Sequence, residues 1–148
     1  MFTGIIEEVG VIREILTNLD GLEIEIDASL VLSDLKVNDS ISCSGICLTV
    51  TKLERKSFKV QLVQETLNKT NAKNWVPGYS INLERALLPT SRMGGHIVQG
   101  HIDTVVKIKD MTFDDKSAIW RFELKKDIKR YLVKKGSICL DGISLTIA

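Results

Sequence analysis

The chain repeats itself. Gly4-Ile5-Ile6-Glu7-Glu8-Val9-Gly10-Val11-Ile12 aligns with Gly100-His101-Ile102-Asp103-Thr104-Val105-Val106-Lys107-Ile108 at an offset of 96. Ile41-Ser42-Cys43-Ser44-Gly45-Ile46-Cys47-Leu48-Thr49-Val50 aligns with Ile138-Cys139-Leu140-Asp141-Gly142-Ile143-Ser144-Leu145-Thr146-Ile147 at an offset of 97. Two collinear blocks separated by nearly the same distance in each half mean one module present twice, which restricts the fold to architectures that can be stacked or paired. Ala148 aligns with Thr51, so residues 52–88 of the first copy have no counterpart, and the second copy is expected to lack its last strands and leave strand edges open.

Within each copy the hydrophobic period is that of strands. Leu22 to Asp27 and Ala118 to Leu124 alternate strictly and occupy matching places in the repeats. Phe58 to Val63 and Tyr79 to Glu84 predict further strands, and Asn38-Asp39 and Lys135-Gly136 predict turns at matched positions. Helical patterns are short, at Ser29 to Leu35, Glu65 to Asn71 and Asp127 to Leu132. About six short strands per copy predict an all-β fold of tandem duplicated six-stranded Greek-key barrels, the second incomplete. The expected boundaries are a first barrel over 1–88, a linker over 89–95 and a second barrel over 96–148.

Charge excludes some functions. Twenty Lys+Arg against nineteen Asp+Glu, dispersed along the chain, leave no electrostatic footprint for nucleic acid or an anionic membrane. Aromatic residues at 5% leave few stacking platforms for an oligonucleotide-binding barrel. The N-terminus has no basic stretch before an apolar run, and no segment could span a bilayer, so the expected compartment is a reducing cytoplasm with Cys43, Cys47 and Cys139 as free thiols.

The chemistry-bearing residues sit in the repeated blocks. Cys47 between Ile46 and Leu48 reads either as a buried core thiol or as a pocket-lining group. Its repeat partner is Ser144, and each is followed two residues later by a hydroxyl, Thr49 or Thr146. His101 replaces the apolar Ile5 after a shared glycine and is suited to moving protons near neutral pH. A metal site at His96 and His101 is not expected, because a four-residue spacing on a strand sends the rings to opposite faces and no other ligand lies nearby.

Taken in order, Met1-Phe2-Thr3-Gly4-Ile5-Ile6-Glu7, Gly45 to Val50, Glu65 to Asn71, Val76-Pro77-Gly78, Asn82 to Ala86, Gly94-Gly95-His96 through Gly100-His101, and Asp141 to Thr146 resemble the riboflavin synthases of the alpha-chain type along the whole chain. The resemblance implies a transferase that needs no cofactor or metal. It dismutates two molecules of 6,7-dimethyl-8-ribityllumazine to riboflavin and 5-amino-6-ribitylaminouracil by moving a four-carbon unit, two homologous pockets holding the two substrates together. It implies catalytic roles for Cys47, His101, Ser144 and Thr146. Implied substrate contacts in the first copy are Gly4, Ile5, Ile6, Cys47, Leu48, Thr49, Gln61, Leu62, Val63, Gln64, Glu65 and Thr66. In the second they are Gly100, His101, Ile102, Lys135, Ile143, Ser144 and Leu145. A homotrimer for the full-length form, with the paired site between neighbouring subunits, and association with lumazine synthase belong to the same implication. The rival reading is a non-catalytic lumazine- or flavin-binding paralogue.

Overall fold

The computed structural model describes residues 1–148. In the first copy six strands close into one barrel: β1 (Glu8–Asn18), β2 (Gly21–Asp27), β3 (Ser40–Cys43), β4 (Ile46–Leu53), β5 (Ser57–Val63) and β6 (Ser80–Arg85). Their spatial order β1-β2-β5-β4-β3-β6 is entirely antiparallel. Three hairpin-connected strands, β3-β4-β5, with β6 returning beside β3, make the Greek key. A single helix turn or two, α1 (Gln64–Lys69), follows β5, and the pattern at 29–35 settles as a short 3₁₀ turn, Val31–Ser33.

Strand alternation fills the barrel. Ile24 and Ile26 of β2, Ile41 and Cys43 of β3, Leu48 and Val50 of β4, and Phe58, Val60 and Leu62 of β5 all point inward into one core. The interior is packed with side chains, so it cannot hold a ligand. Cys43 lies wholly within it, and burial pushes its thiol pKa up.

The second copy supplies β7 (Ile108–Phe113), β8 (Ala118–Phe122), β9 (Ser137–Leu140) and β10 (Ile143–Thr146) as two separate hairpins, β7-β8 and β9-β10. Duplication is visible in backbone detail. β1 slips register against β2 between Ile12 and Glu14, and β7 slips against β8 between Ile108 and Asp110, at equivalent residues. Ser44-Gly45 and Asp141-Gly142 both take positive φ at two-residue hairpin tips, and Asn38 and Lys135 share positive φ at the turn before β3 and β9. The copies differ where β1 starts: β6 pairs with Glu8 to Val11, whereas residues 104–107 have no such neighbour and stay outside any strand. Without counterparts of β5 and β6, the second copy's inward face is uncovered: Ile12 is 1% exposed but its equivalent Ile108 is 49% exposed. The total accessible surface of 9942 Å² reflects this openness, against about 7,500 Å² for a compact monomer of this mass. No helix is long and apolar enough to cross a membrane.

An ion-paired cluster fastens the start of the chain to β6. Arg85 donates from Nε at 3.0 Å to Glu7 Oε2 and from Nη2 at 2.6 Å to Oε1, and its other nitrogen pairs with Asp34. The Arg85 hydrogen bonds hold the Glu7 carboxyl below its ordinary value of 4.5, against the opposing effect of burial. A depressed folded-state pKa contributes stability that is present above 4.5 and lost as pH falls through the lowered value. Glu7→Gln is expected to cost about 1 kcal/mol near neutrality. It should also flatten the stability profile in that acidic window, as read by urea unfolding between pH 3 and 7; an unchanged profile would show that the pair contributes nothing.

Candidate functional site

The two copies are joined by an exchange of their leading segments. Phe2 and its repeat equivalent Val98 form an antiparallel bridge, N–H to O=C in both directions, at 2.8 and 3.0 Å. This self-pairing marks a local pseudo-two-fold axis. Around it, Cys47 N–H donates to Gly100 O at 2.9 Å, and Ser144 N–H donates to Gly4 O at 2.7 Å. The two contacts are equivalent under the repeat. Each copy's leading glycine thus lies against the other copy's hairpin strand, with Gly45 and Gly142 meeting tip to tip.

Sequence order groups Gly4-Ile5-Ile6 with Cys47, and Gly100-His101-Ile102 with Ser144. The fold crosses them. On one side, Cys47 and Thr49 face outward from β4 while Leu48 points into the barrel core. Gly100-His101-Ile102 runs across them, His101 exposed and Ile102 packed against the core. Gln61 and Val63 are exposed on the neighbouring strand β5, Leu62 is buried, and Gln64, Glu65 and half-buried Thr66 open α1. Leu48 and Leu62 can therefore offer a ligand only backbone. The Cys47 thiol belongs to the outer face, half-buried beneath the other copy, and the core reading of this residue is excluded.

On the other side, Ser144 and Thr146 stand two residues apart on β10, Ile143 and Leu145 are exposed, and Ile5 and half-buried Ile6 come from the first copy. Lys135 is exposed in the turn before β9, its N–H bonded to Ile147 O at 2.8 Å. The four residues expected to do chemistry are split two and two: Cys47 with the His101 segment, Ser144 with Thr146. Cys139, opposite Ser144 on β9, is half-buried, and desolvation raises its thiol pKa.

His96 has a role other than the metal ligation its spacing argues against. His96 lies beside Ser144, its Nδ1 2.7 Å from Ser144 Oγ. Residues 94–97 form no strand, so the opposite-face argument for His96 and His101 does not apply; the two rings are separated by the exchange itself, one at each site. The signal available in the sequence was the Gly94-Gly95-His96 triplet, where the missing side chain of Gly95 lets the backbone come close to Thr3 and Ser144.

Behind the leading segment of the first copy lies Glu84. It is 4% exposed and accepts hydrogen bonds from Thr3 N at 2.6 Å, Thr3 Oγ1 at 2.6 Å and Gly4 N at 3.0 Å. A buried carboxylate met by neutral donors fixes the leading segment where it reaches Ser144. A separate polar cleft of about 330 Å³ lies between Asn68 to Asn74 and Asp103 to Val105, near Lys125. It contains none of the four residues above.

A closed Greek-key barrel joined about a local pseudo-two-fold axis to a second copy of its strands and turns defines a class of tandem-duplicated barrel proteins. The family described as "Lumazine binding domain" matches residues 3–86 and 99–148. The chain is 43% identical to riboflavin synthase of Saccharomyces cerevisiae over 155 residues, covering 99% of this chain and 65% of that protein. It is 43% identical to riboflavin synthase of Photobacterium phosphoreum over 149 residues, covering 68% of that protein. The chain belongs to the riboflavin synthase family. It spans about two thirds of the length of these relatives. In fold it resembles LumP in its crystal structures with 6,7-dimethyl-8-(1'-D-ribityl) lumazine, TM-score 0.86, and with riboflavin, TM-score 0.89. Each is 22% identical; they cover 99% of this chain and 78% and 79% of the respective LumP chains.

Proposed function

We propose that this chain carries the two lumazine-binding modules of a riboflavin synthase, with 1–88 and 96–148 as modules and 89–95 as the linker. In this reading the Cys47 site and the Ser144 site each take one 6,7-dimethyl-8-ribityllumazine. The observation that supports it is the reciprocal pairing of Gly100 with Cys47 and of Gly4 with Ser144. Two molecules of one substrate that must react as donor and acceptor need two related frames, and an exchanged duplication provides them. Cys47 and His101 act at one lumazine and Ser144 and Thr146 at the other, supplying proton acceptors and donors while the acidity of the lumazine C7-methyl group drives carbanion formation. The reading extends to a cytoplasmic homotrimer that pairs the first module of one subunit with the second of its neighbour, and to association with lumazine synthase.

The Cys47 site has a continuous floor in β4 and β5, whereas Ile143 and Leu145 beside Ser144 are 39% and 44% exposed. The 148-residue chain is therefore expected to bind one lumazine equivalent at the Cys47 site and to form riboflavin slowly. Lumazine fluorescence titration and riboflavin fluorescence report the two events. Cys47→Ala is expected to lower riboflavin formation about tenfold or more while leaving lumazine Kd within about twofold, since a thiol contributes little contact area. Equal losses in stability and turnover would assign the thiol to packing alone. The open Ser144 side favours a second reading, a lumazine- or flavin-binding protein without turnover. Saturable binding with no riboflavin above the buffer rate would establish it.

A further inference from the structure

We propose that His96 is a positioning residue for the Ser144 hydroxyl, and that it makes the two repeat-related sites chemically unequal. The hydrogen bond itself is a fact of the fold; its bearing on a bound lumazine rests on the function proposed above. The His96 ring does not reach Ser144 by chance. His96 N–H donates to Thr3 O at 3.0 Å, two residues from the Phe2–Val98 bridge, and Thr3 is held by Glu84. Gly95 packs so closely that a Cβ there would lie 2.1 Å from Thr3 O and 2.8 Å from Ser144 Cβ. Ser144 is fixed from its other side by its own N–H on Gly4 O at 2.7 Å. Backbone contacts on both residues thus set the 2.7 Å separation of Nδ1 and Oγ.

A serine hydroxyl on an open strand otherwise rotates among staggered positions. Bonded to Nδ1, it presents one fixed hydrogen-bonding direction to whatever lies over Ser144. Cys47 meets the other copy through the equivalent backbone contact, its N–H on Gly100 O, but no side chain hydrogen-bonds its thiol. The repeat places two small polar groups at equivalent sites, and the fold orders only one of them. A polar heterocycle edge with a matched donor or acceptor is selected at the Ser144 site, whereas the Cys47 site selects by shape.

The chain has two histidines, His96 and His101, so ring nitrogen signals in long-range ¹H–¹⁵N spectra are assigned with one variant. In the ligand-free 148-residue protein, above the titration range of imidazole, His96 is expected to show a single neutral tautomer and exposed His101 a mixture. Ser144→Ala should release His96 to a mixture. A His96 ring as averaged as His101, or one unchanged by Ser144→Ala, overturns the proposal. Added 6,7-dimethyl-8-ribityllumazine, raised beyond the concentration that saturates the Cys47 site so that the weaker Ser144 side is also occupied, should shift the His96 ring nitrogens in the parent and not in Ser144→Ala. A locked tautomer with no lumazine binding by fluorescence supports the positioning contact and overturns the function reading instead. His96→Asn, whose amide reaches the place of Nδ1, should keep riboflavin formation within about threefold. His96→Gln should lower it about tenfold with lumazine Kd unchanged within about twofold. Equal effects of Asn and Gln on both quantities assign His96 to packing and overturn its positioning role.

Discussion

Gly100→Ala is expected to detach the His101 segment from Cys47 and to destabilise the chain by about 2–4 kcal/mol. Gly100 has φ +82, and a Cβ there would lie 2.5 Å from Cys47 Cβ and 2.8 Å from Cys47 N. Neither atom can move aside, because Cys47 is locked into β4 and its N–H is the donor to Gly100 O. Strain and collision act together. Gly78→Ala separates them: its φ is +87, but nothing lies within 4 Å of the added carbon, so it should cost only about 1 kcal/mol. The barrel closes through β1–β6 without residue 100. Gly100→Ala should therefore leave the barrel's strand content intact by circular dichroism while lowering lumazine affinity about tenfold or more. Gly4→Ala meets Ser144 Cβ at 2.7 Å and N at 2.8 Å and should likewise detach the leading segment from the other site. If Gly100→Ala behaves like Gly78→Ala in urea unfolding and in lumazine titration, the exchanged contact is not what holds the site.

Glu84→Ala is expected to cost about 3–5 kcal/mol, the loss occurring at a residue remote from any chemistry. Its two oxygens satisfy the N–H groups of Thr3 and Gly4 and the Thr3 hydroxyl, all buried. Alanine leaves those donors without water or partner, and each orphan costs about 1–3 kcal/mol. Because Gly4 O is the acceptor for Ser144 N–H, the damage should appear as a loosened Ser144 side, seen as faster amide exchange at Ser144 and Leu145 while Cys47 stays protected. Glu84→Gln keeps one acceptor oxygen and turns an NH₂ toward a donor, so an intermediate loss of about 1–3 kcal/mol is expected. A neutral outcome for Glu84→Ala would mean that the leading segment is held by the Phe2–Val98 bridge alone.

Much of this molecule was legible in its residues. Three of the six strands of the first barrel came from the hydrophobic pattern: β2, β5 and β6 fall within a residue or two of the segments read from Leu22, Phe58 and Tyr79. The turns at Asn38 and Lys135 and the equivalence of Cys47 with Ser144 were visible because turn chemistry and repeats are local or self-referential signals. Three features were not. Alternation could not say whether Cys47 faces in or out until the register placed Ile46, Leu48 and Val50 on the core side. His96 looked like one half of an unconvincing metal pair, since its partner Ser144 is 48 residues away. Glu84 read as one more polar strand residue, although it is the anchor of a segment 81 residues distant.

The sequence by itself determined that one barrel-forming module occurs twice and where several of its strands, its turns and its small polar strand residues fall. Period, turn residues and self-similarity are properties of neighbours along the chain. Only the tertiary structure decided which leading segment serves which hairpin. Gly4 and Gly100 carry the same backbone carbonyl, and Cys47 and Ser144 offer the same backbone N–H, so local chemistry permits either pairing. Closing the Phe2–Val98 bridge across the pseudo-two-fold axis brings each glycine to the opposite copy. That choice, made by packing between residues nearly a hundred positions apart, puts His101 with Cys47 and His96 with Ser144.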